Sequence, residues 1–454
     1  MIEFYDLWYD IFHHADFKTQ LALVMSSVTL KASLSIVNLY DIDEKYLTKI
    51  DYDILKNEIF SSITKLRAKH IIDIPTLPNL KVLNVDRANY YIISQLAINN
   101  LDLVELNVNS NIHIFDVSFM RNLKILHANS ISEITQAGIN NLDLYVLYLD
   151  NNRYISDISF MRNLKILHAC GNCLIGQSSI IYLDLIELYA DNNYNINDVS
   201  FMRNLKVLHA GGAVCGIKQT GINKLDLYEL DIQRNRHINN VSFMRNLKIL
   251  YIGGSYAIDQ SSINGLDLIE FYIFSNDKIT DLTFMHNLRV LHIYYAYKIT
   301  QSSIQGLNLR EFLNTANDIT DISFMKNLKI LQADSFSKIN QKGIRGLDLE
   351  ELYVYNNKQI HDVSYMKNLK ILNANYYSGI DQKGINGLDL YELYAYNNWK
   401  IRDVSFMKNL KVLNSIGTCG IDLRNRKIKL IQHLDLDKNI VVHTSTIEEN
   451  FDYY

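Results

Sequence analysis

Histidine, tyrosine, glutamate and cysteine are the residues here whose spacing could do chemistry. His127, His168 and His209 recur at equal intervals, with Tyr148 and Tyr189 between them. Glu105, Glu187, Glu229, Glu270, Glu311, Glu351 and Glu392 form a second periodic set. Cys170-x-x-Cys173, with Cys215 further on, is a third. Imidazoles and thiolates are zinc ligands, and carboxylates are general acids and bases. Whether any set acts together depends on the elements that carry it.

Those elements are repeats. DVSFMRNLKILHA, starting at Asp116, returns as close variants at near-equal intervals, anchored on Phe119, Phe160, Phe201, Phe243, Phe284, Phe324, Tyr365 and Phe406. Each long unit splits into two halves of about 20 residues, short units of the kind that stack into solenoids. One half reads NLKILHA followed by IxQxxI; the other reads LDLYELY followed by NN and DVSF. Counting from Leu123 as position 1, Leu126 and Ala128 (positions 4 and 6) alternate with positions 3, 5 and 7, so one set faces a core and the other solvent. Asn111, Asn152, Asn193, Asn235, Asn276, Asn317, Asn357 and Asn398 fall where a strand bends away, which predicts a buried amide ladder on open backbone groups. Asp-x-Ser-Phe predicts a capped turn with the Phe directed into the core. The pattern predicts an α/β solenoid: a curved parallel sheet on the concave face, short helices and turns on the convex face.

This architecture decides the chemistry. Histidines on alternate strands stand about 9–10 Å apart, so three rings cannot share a zinc ion. A lone CxxC lacks a fourth ligand and reads as loop thiols. Seven equivalent glutamates, opposite a row running from Lys124 to Lys411, predict a Lys/Glu ladder worth under ~1 kcal/mol per pair. General acid–base work needs carboxylates in distinct surroundings. No Gly-rich phosphate loop or nucleophile elbow stands out. The expectation is no catalytic residue, no metal and no cofactor.

Binding is the remaining use. Position 5 lines up His127, Tyr148, His168, Tyr189, His209, Tyr251, Tyr272, His292, Tyr353 and Tyr394 as a stripe on the sheet. Tyrosine gives large contact area with a polar tip, which suits a protein-recognition face; cross-strand rings also stabilise sheets in their own right. The sequence leaves both open.

Composition sets bounds. With 454 residues, 48% hydrophobic and 21% charged, the chain is too long for one compact core and too apolar for disorder. A net charge of −4 disfavours a nucleic-acid or anionic-membrane partner. No apolar run reaches the roughly 18–20 residues of a membrane span, and the acidic start MIEFYDLWYD lacks the basic region of a secretory signal. Four unpatterned cysteines suit a reducing interior. The expected location is cytoplasmic. The Asn, Ile, Lys and Tyr bias fits an AT-rich genome, so the cell concerned could be a host's.

The repeats resemble leucine-rich repeats of the cysteine-containing class, as in Ile134–Ile139 and Ile339–Ile344, with most of that class's cysteines replaced. Residues 1–60 fall outside the repeat and have apolar residues at helical spacing. They resemble an F-box at Leu7, Ile11–Phe12, Asp16-Phe17-Lys18, Leu21, Leu23 and Ser26–Ser27, with Phe4 where that family has proline. The resemblance implies a non-catalytic substrate receptor of a cullin–RING ubiquitin ligase. Leu7, Ile11, Phe12 and Leu21 would dock a Skp-type adaptor that joins the cullin, and the sheet would select a protein target. The competing reading is an interaction scaffold, or a host-directed binding protein, in which the N-terminal segment only caps the solenoid. The expected domains are 1–60, a solenoid over 61–440 and a tail over 441–454.

Overall fold

In the computed structural model the described residues are 19–20, 38–40, 52–56, 60–68, 71–86, 93–254, 257–315, 318–415, 421 and 429–430. Leu7, Ile11, Phe12 and Leu21, and with them the F-box resemblance, lie outside these, as do Asn317 and Cys419. The chain divides into two compact units, Met1–Leu266 and Asp267–Tyr454.

Unit 1 stacks β1 (Asn38–Leu39), β2 (Lys65–Arg67), β3 (Val82–Asn84), β4 (Glu105–Asn107), β5 (Ile125–His127), β6 (Val146–Tyr148), β7 (Ile166–His168), β8 (Glu187–Tyr189), β9 (Val207–His209), β10 (Glu229–Asp231) and β11 (Ile249–Gly253). Each strand pairs in parallel with the next in the chain. Unit 2 does the same from β12 (Glu270–Phe274) to β20 (Lys429–Leu430). Among the described residues the strand stack reaches back to Asn38. Helix is confined to single turns such as Gln95–Ile98 and Gln177–Ile180 among the described residues. None is long and apolar enough to cross a membrane.

The core follows the alternation. Leu123, Leu126, Ala128, Ile134 and Ile139 are buried, as are their counterparts along each unit. Phe119 corrects the expectation: it is 38% exposed, as are Phe160 and Tyr365, while the adjacent Met120, Met161 and Met366 are buried. The turn explains this. Asp116 Oδ1 accepts the Ser118 N–H at 2.9 Å, and the Met120 N–H donates to Val117 O at 3.0 Å. That closure turns Val117 and Met120 inward and leaves residues 118 and 119 at the apex.

Two amide ladders join the layers. Asn193 is buried; its Nδ2 donates to Ala169 O at 2.8 Å and Ile175 O at 3.1 Å, and its Oδ1 accepts the Asn195 N–H at 2.8 Å. Asn111, Asn152, Asn235, Asn357 and Asn398 repeat the pattern. The Gln of IxQxxI forms the second. Gln177 Oε1 accepts the Asn197 and Asp198 N–H groups at 3.1 and 2.9 Å, and its Nε2 donates to Asp198 O at 2.7 Å. Gln136, Gln219, Gln341 and Gln382 act likewise.

Candidate recognition face

Zero stagger between strands places position-5 residues directly opposite one another. The unit 1 column is Asn84, Asn107, His127, Tyr148, His168, Tyr189, His209, Asp231 and Tyr251. Five of these rings form one continuous series. Centroid separations are 4.1 Å for His127–Tyr148, 4.3 Å for Tyr148–His168, 4.0 Å for His168–Tyr189 and 4.6 Å for Tyr189–His209. Tyr251 lies 6.3 Å from His209, because Asp231 takes the layer between. The strand spacing of about 4.8 Å is near the offset-stacking distance of aromatic rings, so in-register rings stack with little adjustment. All six rings keep part of their surface open.

Unit 2 does not continue such a series within itself. Tyr272 and His292 meet edge to face at 4.6 Å, and His292 is buried, 2% exposed. It cannot be an open contact, which corrects that expectation. Leu313, Gln332, Asn373 and Asn414, also at position 5, are buried. Asn373, short and in register between Tyr353 and Tyr394, is covered by them. Tyr353 and Tyr394 thus stand apart, with Asn373 between.

The glutamates serve the rings, not the lysines. Glu229 Oε1 lies 3.0 Å from His209 Nε2, Glu311 Oε1 lies 2.8 Å from His292 Nε2, and Glu105 Oε1 lies 3.6 Å from His127 Nε2. Tyr189, Tyr353 and Tyr394 donate their hydroxyls to Glu187, Glu351 and Glu392 at 3.1, 2.8 and 2.7 Å. Lys124 and Lys165 instead donate to the Asp143 and Asp184 carbonyls at 3.0 and 2.9 Å. The expected Lys/Glu ladder is therefore replaced. Position 3, which carries Glu, is the near neighbour of a ring at position 5 on the same face.

The histidines divide by surroundings. Burial brings His127 and His168 down to about 4, with the other histidines adding to the effect at His168. Both rings are neutral at pH 7. At His209 burial acts in the same direction, but the Glu229 hydrogen bond and the charges of Asp231 and Asp191 outweigh it, and its pKa is raised. Asp231 is pushed up to about 7, by burial first and then by Asp191.

Asp150 and Asp191 escaped the sequence reading. They occupy position 7 of the second half, in LYLD and LYAD, a column that lies beside the rings. Their Oδ1 atoms accept the Cys170 and Gly211 N–H groups at 2.8 and 2.6 Å. Both thiols of the CxxC lie in the loop after β7, as expected, but Cys173 turns into the core: it is buried and its thiol donates to Ala169 O at 3.1 Å, while Cys170 stays partly open. Among the described residues no group of three His, Cys, Asp or Glu is placed for a metal.

The layers define a leucine-rich-repeat solenoid. Comparison with solved structures agrees: the chain is similar to the Toll-like receptor TLR13 in its complex with ssRNA13, at TM-score 0.54 and 18% identity, over 84% of this chain and 62% of that one. It is also similar to an internalin of Listeria monocytogenes (TM-score 0.34, 18% identity, 78% of this chain and 88% of that one) and to mouse RP105 in complex with MD-1 (TM-score 0.42, 14% identity, 79% of each chain). The chain spans less than two thirds of the TLR13 chain. No family model and no curated protein matches.

Proposed function

We propose that this chain is a non-catalytic receptor that holds a protein partner against the open sheet faces of its solenoid, chiefly through the ring series from His127 to His209. The observation that carries this reading is that series: five in-register rings at 4.0 to 4.6 Å, each partly open to solvent. Rings already stacked and tethered lose little side-chain freedom on binding. Changing Tyr148, Tyr189 and Tyr353 jointly to Ser removes the exposed contact area and leaves the core unaltered. Partner capture should fall at least tenfold while circular dichroism is unchanged; full capture by the folded variant would place the contact elsewhere.

The finer assignment is a substrate adaptor of a cullin–RING ubiquitin ligase acting in the cytoplasm. It rests on the resemblance of residues 1–60 to an F-box. Full-length protein incubated with a purified Skp-type adaptor decides it: co-elution lost in Leu7→Asp and Ile11→Asp supports adaptor docking. Absence of co-elution leaves an interaction scaffold without a ligase link.

A further inference from the structure

We propose that the unit 1 face receives a basic protein segment, with an arginine or lysine of the partner lying over the ring series and its cation among Asp191, Glu229 and Asp231. This rests on the protein-binding reading above and gives the partner its chemistry.

Three strands bring these acidic groups together. β8 ends in Tyr189 with Asp191 two residues on, β9 ends in His209, and β10 carries Glu229 and Asp231. His209 is the hub: Nε2 is 3.0 Å from Glu229 Oε1 and Nδ1 is 3.9 Å from Asp191 Oδ2. Gly211 lets both carboxylates pack against the backbone there: a Cβ would meet Asp191 Oδ1 at 2.9 Å, Gln233 O at 3.0 Å and Asp231 Oδ1 at 3.6 Å. Asp191 is hemmed in by protein enough to raise its pKa, yet its side chain stays 34% exposed. Asp191 is thus crowded by its neighbours and still reachable from solvent.

The three histidines respond to this acidic group. They occupy one column of one sheet, and His127 and His168 favour the neutral form while His209 favours the charged one. The difference is the carboxylates around His209, with Glu187 and Tyr189 on one side and Tyr251 on the other. Three acidic side chains, Asp191, Glu229 and Asp231, surround a single imidazole. A guanidinium or ammonium would relieve the repulsion from Asp191 that, after burial, raises Asp231. The same charges repel a phosphate backbone, so an RNA, the ligand in the TLR13 complex, is the less suited partner.

The test uses full-length protein and three labelled probes: an (Arg-Gly)6 peptide, a (Glu-Gly)6 peptide and a twelve-nucleotide oligouridine. The arginine peptide should bind, lose affinity as salt rises, and bind more tightly at pH 8 than at pH 6, where Asp231 is protonated. Asp191→Asn with Asp231→Asn should weaken it at least tenfold. The same charge change at Glu133→Gln with Glu350→Gln should have no effect. Equal binding of the glutamate peptide or the oligouridine, or an unmoved affinity in the folded Asp191/Asp231 variant, overturns the proposal. In that event the joint Tyr148, Tyr189 and Tyr353 variant still reports on the recognition face by itself: a loss of partner capture there upholds the face and rejects only its charge preference.

Discussion

His127 and Tyr148, on neighbouring strands, place their rings 4.1 Å apart and 6° from parallel. That closeness removes water from the imidazole, and with it the stabilisation of its charged form.

Stability should therefore fall on the acid side. For His127 and His168 the unfolded chain takes up protons near 6.5, whereas the folded one does so only near 4. Their contribution is complete above 6.5 and is lost as the pH drops toward 4, at most about 3 kcal/mol per ring and less because both rings stay partly wet. Thermal melts of the wild type should decline across this window, and His127→Phe with His168→Phe should flatten the decline. Parallel curves would show that the rings are not held neutral.

The buried amides should matter more than the exposed ones. Asn193→Ala removes the amide donor from the Ala169 and Ile175 carbonyls, leaving Ala169 O only the weak Cys173 thiol, and the acceptor from the Asn195 N–H, at about 2–4 kcal/mol. Asn163→Ala, which loses one exposed bond to Asp143, should cost well under about 1 kcal/mol. Urea midpoints that shift alike would contradict the ladder.

In the turn, Met120 and Phe119 should behave oppositely to their hydrophobic rank. Met120→Ala opens a core cavity costing about 2–5 kcal/mol; Phe119→Ser alters an apex and should stay within about 1 kcal/mol. Denaturation of the two variants decides it, and a larger loss at Phe119 would put the phenyl ring back in the core.

The thiols should be sluggish. Burial pushes both Cys173 and Cys215 up to about 11, so little thiolate exists at pH 8. Peptide mapping after iodoacetamide should find them unmodified in folded protein and fully modified in urea. Rapid native labelling of Cys173 would show that its layer opens.

Leu126, Asn152 and their kin were legible in the sequence because burial in a stacked layer imposes one residue type at one position, every time. Phe119 was not. Phe and Met are both apolar, and only the Val117–Met120 closure tells which turns inward. Nor could position 5 alone decide exposure: His127 is open and Asn373 closed because the answer depends on the size of the flanking side chains. Asp150 and Asp191 were printed plainly, but their meaning comes from standing beside His168 and His209, a sideways relation across layers that a linear string does not display.

The two amide ladders share a direction. Gln177 reaches forward to Asn197 and Asp198, and Asn193 reaches back to Ala169 and Ile175, so both fasten a first half to the second half that follows it. Between one such pair and the next, other residues make the side-chain ties, such as Asn163 to Asp143, Asn246 to Asp226 and the Cys170 N–H to Asp150. The natural brick of this protein is thus the joined pair of halves, not the single turn of the coil. Whole bricks can be added or lost with every ladder bond kept, while removing half a brick leaves a Gln and an Asn each reaching for nothing.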